Sequence, residues 1–514
     1  MEIFLNDEGE AWWVGAGGIC RNNYGWIQRC VNKGTIIAAN GDNSVSSGGI
    51  VGGNDGTIID CYNLGEITTS NNSTSAQAVS VGGIAGSGYL GSIRNAFSLK
   101  NIKVNGTRTS YINGVIGSNN QTEIANCYYW GTDTESYATR CEYADLCSEE
   151  MIRKLNNNGA NDVWVLMDGQ PALKWEQTGV MMAHGLKFDL SATRAGMSWI
   201  VLGDNVVSSG LEWRKKGAFV WTREQGACNK PSSVELTGLE PLTIYEARVY
   251  AVTSAGETLT TPTETFATLF ETSGTKDDPH LIADYNQLLA FSEIIAHGYK
   301  MGGELVRLCA DIDLKGDQGV LWEPICSKFS EDYSFEGEFD GQGHVLSHMY
   351  IDTKKCYAGF FGLFRGYVHD LTIVDSEIKC STAPSTNSYY AGVGGFVGSS
   401  IWYSSVYPCI AQRCGFEGRI IGGNAIGGII GAVATVDAVN DCYVNADITY
   451  TQNIKSYSSQ TGVGGVVGKG NALNSYATGT ITINNAFGVS YGPVAGIYHK
   501  TTSPNVNSYY WTTD

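Results

Sequence analysis

Carboxylates gathered in a short span are the first residues that could do chemistry. Asp311, Asp313, Glu338 and Asp340 form the densest such cluster. Paired carboxylates could serve glycoside hydrolysis, and several together could bind calcium. The plainer expectation is that Asp in Asp-Gly and Asp-Leu steps caps turns. The histidines, His184, His280, His297, His344, His348, His369 and His499, are scattered. His344 and His348 stand four apart, but in an alternating strand rather than a helix, so a surface role is expected for them. The sequence contains no His-Glu-x-x-His and no phosphate-binding loop with its lysine. It therefore assigns no catalytic, cofactor-binding or metal-ligating residue, and the expectation is a protein that is not an enzyme and carries no cofactor.

Two further residue types need weighing. Trp12, Trp13, Trp26, Trp322, Trp402 and Tyr403 fall at turns or repeat edges. Exposed, they would stack on sugars; the alternative is that they roof the ends of coils. Fourteen cysteines would suggest disulfides in a small secreted domain, but several recur at one repeat position and read better as buried thiols. Cys141 with Cys147 and Cys409 with Cys414 fall outside or at the edge of that series and are the best candidates for bridges. No Cys-x-x-Cys pair occurs, which argues against structural zinc.

The elements that must position these residues come from repeats. Val393-Gly394-Gly395-Phe396-Val397-Gly398 returns as Ile426–Gly431, Val463–Gly468 and, weaker, Tyr491–Gly496. The first third has its own set at Ser47–Gly52, Val81–Gly86 and Asn113–Gly117, with spacings of 28 to 37 residues throughout. A second anchor follows most glycine cores, as in Ile59-Asp60-Cys61-Tyr62, Ile124-Ala125-Asn126-Cys127-Tyr128 and Val439-Asn440-Asp441-Cys442-Tyr443. Its small position holds Cys30, Cys61, Ala96 and Cys127, then Cys414, Cys442, Ser475 and Ser508. A fixed period in this range marks a solenoid. Each repeat is expected to be about one coil of a parallel right-handed β-helix, rising roughly 4.8 Å.

Bulk properties bound the function. At 514 residues with 65 glycines and no collagen period, two to four domains are expected. The net charge of −18 argues against nucleic acid and against an anionic membrane surface. No apolar run reaches transmembrane length, and the start, Met1–Asp7, has no signal-peptide core.

The Gly-Gly-Ile-Ala-Gly core with a following Asn-Cys/Ser-Tyr resembles the GLUG repeat of bacterial surface proteins, over roughly residues 14–135 and 355–514. That resemblance implies relatives among adhesin-like proteins of gut Bacteroidales and the non-catalytic region of some immunoglobulin A1 proteases. Leu239-Glu240-Pro241-Leu242-Thr243-Ile244-Tyr245, leading into an alternating strand, resembles the tyrosine corner of a fibronectin type III sandwich. It implies that Tyr245 bonds back to upstream backbone and that Trp199 fills the core.

The expected organisation is all-β: a first solenoid at 1–135, its C-terminal cap at 136–177, a fibronectin-like sandwich at 178–270, an N-terminal cap and first coils at 271–355, and a second solenoid at 356–514. Ser148 should cap a short helix within the first cap, which is expected to cover the open end of its stack. Asp284 with Gln287 should box the start of a helix at Tyr285–His297 with Leu288, Leu289, Phe291, Ile294 and Ile295 buried. Leu305–Leu314 reads as one strand, and Phe335–His344 as a turn-rich strand pair. The outer ends near Trp12 and Trp511 have no recognisable cap, so self-association through them is expected, as in a fragment of a longer protein. The functional expectation is an extracellular or cell-surface, adhesin-like module that meets host or microbial glycans or proteins. The alternative is a carbohydrate-active enzyme, a polysaccharide lyase or glycoside hydrolase, with its site on a β-helix face. A third reading is a spacing stalk.

Overall fold

The computed structural model describes residues 3–7, 13–40, 44–71, 79–99, 101–105, 110–131, 137–183, 189–326, 334–354, 357–381, 391–400, 409–423, 425–433, 439–451, 462–484, 489–497 and 508–510. Trp12, Trp402, Tyr403, Trp511, His184 and His499 lie outside them. The chain is all-β in architecture and divides into two units, Met1–Met181 and Met182–Asp514.

In the first unit, parallel strands stack in rows. One row is Trp13–Gly17, Ser44–Gly48, Val79–Gly82 and Ser110–Asn113; the next is Cys20–Asn23, Val51–Asn54, Ala85–Tyr89 and Ile116–Asn120. Between these rows the chain turns with almost no room. A Cβ on Gly48 would sit 2.1 Å from the Val51 carbonyl oxygen and 2.6 Å from Ala85 Cα, so only glycine fits. Inside lie Ile50, Val51, Ile58, Ile84, Ile93, Val115, Ile116 and Tyr129, all fully buried.

A second corner explains the cysteine series. Arg29, Asp60, Asn95 and Asn126 all have φ between 50° and 54°, the left-handed region that Asn and Asp tolerate best. Each is followed by the small residue of the repeat. There the Cys61 thiol donates to the Ile59 carbonyl (3.2 Å) and accepts the Cys30 N–H (3.4 Å). In the second unit the same step runs from Cys414 N–H to Cys442 Sγ (3.4 Å), Cys442 N–H to Ser475 Oγ (3.1 Å) and Ser475 N–H to Ser508 Oγ (3.4 Å). The side chain thus satisfies a backbone donor exposed by the corner. Cys61 and Cys127 are buried as expected, but Cys30 is only half-buried.

None of the thirteen described cysteines is bridged, so the candidate pairs Cys141/Cys147 and Cys409/Cys414 are corrected to free thiols.

Residues 143–175 lie along the flank of the first solenoid rather than only over its end, which is a second correction. Helix Glu149–Leu155 is capped by Ser148, whose Oγ accepts from Met151 N–H (3.2 Å). Hairpin strands Trp164–Met167 and Gln170–Leu173 follow. The segment reaches coil after coil: Trp175 Nε1 donates to the Arg29 carbonyl (3.2 Å), Trp164 Nε1 to Asp60 Oδ1 (3.3 Å), and Asn126 Nδ2 to the Lys154 carbonyl (2.6 Å). The reason is apolar. Tyr62 and Phe97 stack in register on the flank and are fully buried under Trp164. At the stack's end Thr139–Arg140 adds a short strand beside Glu123–Trp130 in one of the sheets.

The second unit opens with a two-sheet sandwich. Arg194–Leu202 pairs with Asp189–Leu190 and Pro231–Thr237; Val206–Lys215 and Ile244–Thr253 centre the other sheet. Trp199 is buried, and the Tyr245 hydroxyl accepts the Glu240 N–H (2.9 Å). Helix Tyr285–Ala296 follows, with Asp284 accepting from Gln287 N–H (2.9 Å). Leu288, Phe291, Ile294 and Ile295 are buried as expected; Leu289 is only half-buried, and Ala290 is buried in its place. The expected single strand Leu305–Leu314 is two, Leu305–Leu308 and Ile312–Asp313. Glu338–Asp340 and Val345–Ser347 do not pair with each other; the chain turns between them at Gln342 (φ 53°) and Gly343 (φ 79°), and each pairs with the neighbouring coils. One long parallel sheet then runs from His280–Ile282 through Leu305–Leu308, Glu338–Asp340, Tyr367–Cys380, Ile410–Gly422, Tyr443–Tyr450 and Tyr476–Thr478 to Tyr509–Tyr510.

Two measurements test this fold. Thiol titration of native protein should label the exposed Cys309 quickly and leave Cys61, Cys127, Cys414 and Cys442 unreactive, since all four are buried; rapid labelling of the four would break the register. Tyr245→Phe should destabilise the sandwich by about 1–3 kcal/mol, because it leaves the Glu240 N–H without its acceptor; an unchanged denaturation midpoint for this transition would contradict it.

Candidate functional site

Parallel stacking places one residue of each coil directly beside its counterpart in the next. On the second solenoid this brings Arg307 opposite Asp340, Asp340 opposite His369, His369 opposite Gln412, and Gln412 opposite Asn440. The column ends in the left-handed corner, where Asp370 (φ 53°), Arg413 (φ 50°), Asp441 (φ 55°) and Asn474 (φ 47°) succeed one another.

Hydrogen bonds join the column into a strip. Asp340 is buried; its Oδ2 accepts from Arg307 Nε (3.2 Å) and from the Gln342 carboxamide, and its Oδ1 accepts the Gln342 N–H (3.0 Å). His369, also buried, sets Nε2 2.9 Å from Glu338 Oε1 and Nδ1 2.7 Å from Asp370 Oδ2. Tyr367 stacks on the His369 ring with centroids 4.4 Å apart and donates to Gln412 Oε1 (2.5 Å). Gln412 passes a bond to Asp441 Oδ2 (3.2 Å), and Asn474 bonds Asp441 Oδ1 (3.2 Å). Arg413 grips both oxygens of Asp370 at 2.6 Å, a bidentate pair. That guanidinium holds the Asp370 carboxyl down to about 2. Arg307 to Asn474 spans five coil steps, or roughly 24 Å at ~4.8 Å each.

The four carboxylates singled out in the sequence do not form one group. Asp311 accepts from Val345 N–H (2.9 Å) and meets His344 Nδ1 (3.0 Å); Asp313 accepts from Lys315 N–H (2.8 Å) and meets His348 Nδ1 (3.0 Å). Asp313 caps its own turn, whereas Asp311 bonds across to the neighbouring coil, and the bond from Asp313 raises the His348 pKa. Glu338 and Asp340 belong to the strip. Two sets bring three ligand atoms within 4.8 Å of one another: Asp313 with Asp317 and His348, and Asp340 with His369 and Asp370. In the second set the guanidiniums of Arg307 and Arg413 already stand where a cation would. Asp313 and Asp317 in the first are exposed, and His348 there favours its proton.

Tyr367, His369, Asp370, Gln412 and Arg413 escaped the sequence reading. Their signal was present: Asp370 and Arg413 sit one residue before Leu371 and Cys414, in the phase of Asp60 before Cys61. Among the aromatics, Trp26 is 65% exposed at a coil edge, whereas Trp322 is buried against Phe360 and donates to its carbonyl (3.2 Å).

These observations define a class, an all-β protein of parallel β-solenoids and a sandwich. The fibronectin type III domain model matches residues 183–266. No curated protein matches the chain. Among solved structures, the chain is similar to a candidate immunoglobulin A1 protease from Bacteroides ovatus at 20% identity, covering 47% of this chain and 78% of that one with a TM-score of 0.33. A myokine structure aligns at 26% identity over 17% of this chain and 94% of its own, TM-score 0.15. A pectate lyase from Pectobacterium carotovorum aligns at 11% identity over 61% and 91%, TM-score 0.13.

The Asp370–Arg413 pair has a pH signature. Its folded pKa of about 2 lies below the unfolded value of about 3.9, so its stabilisation is present above the unfolded pKa and is lost as pH falls toward 2. The unfolding midpoint of the second unit should drop over that window, and drop less in Arg413→Gln. Parallel acid profiles for the two proteins would contradict the pairing.

Proposed function

We propose that the chain is a non-catalytic, adhesin-like module of a bacterial surface protein, built from repeats of the GLUG kind, and that the part of the strip from Arg307 to Arg413 binds an extended glycan. The carrying observation is that the groups best suited to acid–base work are tied to each other: Arg413 to both oxygens of Asp370, and His369 to Asp370 and Glu338. A nucleophile, acid or base must reach the substrate's reacting atoms, and these groups reach one another instead. A fixed column of polar groups of mixed type, one position per coil, suits recognition of an extended ligand rich in hydroxyls. Among the described residues no helix is long and apolar enough to cross a membrane. Fibronectin type III sandwiches recur among cell-surface proteins, which supports an extracellular location.

A glycan array, with a reducing-sugar assay on the hits, tests this. Binding without turnover is expected, and Tyr367→Ala with Gln412→Ala should weaken it by about tenfold, ~1.4 kcal/mol. Turnover would favour the carbohydrate-active enzyme, and neither binding nor turnover would leave the spacing stalk.

A further inference from the structure

The first solenoid carries a built docking surface on its flank, and the second solenoid carries the same surface. In the first, Asp60-Cys61-Tyr62 and Asn95-Ala96-Phe97 stand on neighbouring coils. Asn95 Nδ2 holds Asp60 Oδ1 (3.1 Å), and the rings of Tyr62 and Phe97 stack at 4.8 Å and 12°. Trp164 crosses both ring edges, at 5.8 Å and 54° from Tyr62 and 5.6 Å and 52° from Phe97, while its indole N–H reaches the same Asp60 oxygen (3.3 Å). Leu146, Met151, Leu155 and Leu173 fill in around it.

In the second, Asp441-Cys442-Tyr443 and Asn474-Ser475-Tyr476 repeat the pattern in the same register. The corner angles match, 55° and 47° against 52° and 50°. Asn474 Nδ2 holds Asp441 Oδ1 (3.2 Å), and the tyrosine rings stack at 5.9 Å and 19°. Tyr509 extends the row by one coil. Here, however, Asp441 and Asn474 are exposed, Tyr476 is 49% exposed and Tyr509 67%, whereas Asp60 is 2% and Tyr62 and Phe97 are 1%.

We propose that the Tyr443–Tyr476–Tyr509 flank is a docking surface for a polypeptide segment that folds, as residues 143–175 do, into a short helix and hairpin presenting a tryptophan. The stacking geometry decides between this and a sugar. Tyr443 and Tyr476 already cover each other's faces, so what they present outward is ring edges, and the first solenoid shows those edges taken by a tilted indole. Sugars stack on faces, which this row does not offer between its members. The Asp441 carboxylate supplies the acceptor that a tryptophan N–H needs once it leaves water.

Grafting a copy of residues 131–178 after Trp511 tests the surface, because Trp511 follows Tyr509-Tyr510 as Trp130 follows Tyr128-Tyr129. Tethering supplies a high effective concentration. Nitration of Tyr476 by tetranitromethane should slow by about tenfold in the grafted chain. The same graft with its tryptophan changed, as in Trp164→Ala, should restore the rate. Equal nitration of Tyr476 with and without the graft overturns the proposal, provided added peptide 137–178 also leaves Tyr476 hydrogen exchange unchanged. Protection of Tyr476 in the ungrafted chain by oligosaccharides, rather than by graft or peptide, overturns it in favour of a glycan surface. Glycan binding lost in Tyr367→Ala is read separately, since that residue lies on the strip and not on this flank.

Discussion

The coils close because one corner per turn is made by a left-handed residue followed by a small one with a polar head. A left-handed corner turns the chain sharply and leaves a backbone N–H pointing at the neighbouring coil rather than at a strand partner. In a buried position that donor must be met. The thiol of Cys61 or Cys442, or the hydroxyl of Ser475, meets it and passes its own hydrogen to the carbonyl two residues back. A larger side chain would not fit between coils, and a purely apolar one would leave the donor unpaired. Ala96 shows the tolerance of the arrangement, since its coil keeps the corner through Asn95 without a polar head at the small position.

The same corner faces outward as well as inward. Because its residue has a positive φ, Asp and Asn are favoured there, and stacking lines them up. Asp60–Asn95–Asn126 forms such a ladder in the first solenoid, and Asp441–Asn474 in the second. Where the ladder receives a cation instead, as at Asp370 with Arg413, the outcome is an ion pair fixed to the coil geometry. So the strip and the aromatic flank are not independent inventions. One lies just before the corner, the other just after it, and both inherit a spacing of one coil per residue.

How legible this was in the sequence follows from the physics. The glycine cores and the Cys/Ser series were readable, because steric exclusion at Gly48 and donor satisfaction at Cys61 restrict residue type directly. The tyrosine corner was readable for the same reason, since Tyr245 closes one specific backbone bond. The strip was not, because its members share no type: Arg307, Asp340, His369 and Gln412 meet only through register. Clustering along the chain suggested Asp311, Asp313, Glu338 and Asp340 instead, and the coil sends those to two different corners. Trp322 was left open between stacking on a ligand and roofing a coil, because a turn position does not say whether the turn folds inward, as it does over Phe360.

The placement of residues 143–175 carries the most weight for reading such proteins. A solenoid has two kinds of unsatisfied surface: the terminal coil, which lacks backbone partners, and any flank whose stacked side chains are apolar. The first receives only two residues here, Thr139–Arg140, which extend one sheet. The second takes helices and a hairpin, because stacked rings such as Tyr62 and Phe97 expose several coils' worth of edge at once. Aromatic residues at the position after the corner therefore predict a companion segment more directly than the end of the stack does. A flank with serine or threonine there would need none, and would leave the coil's polar groups in water.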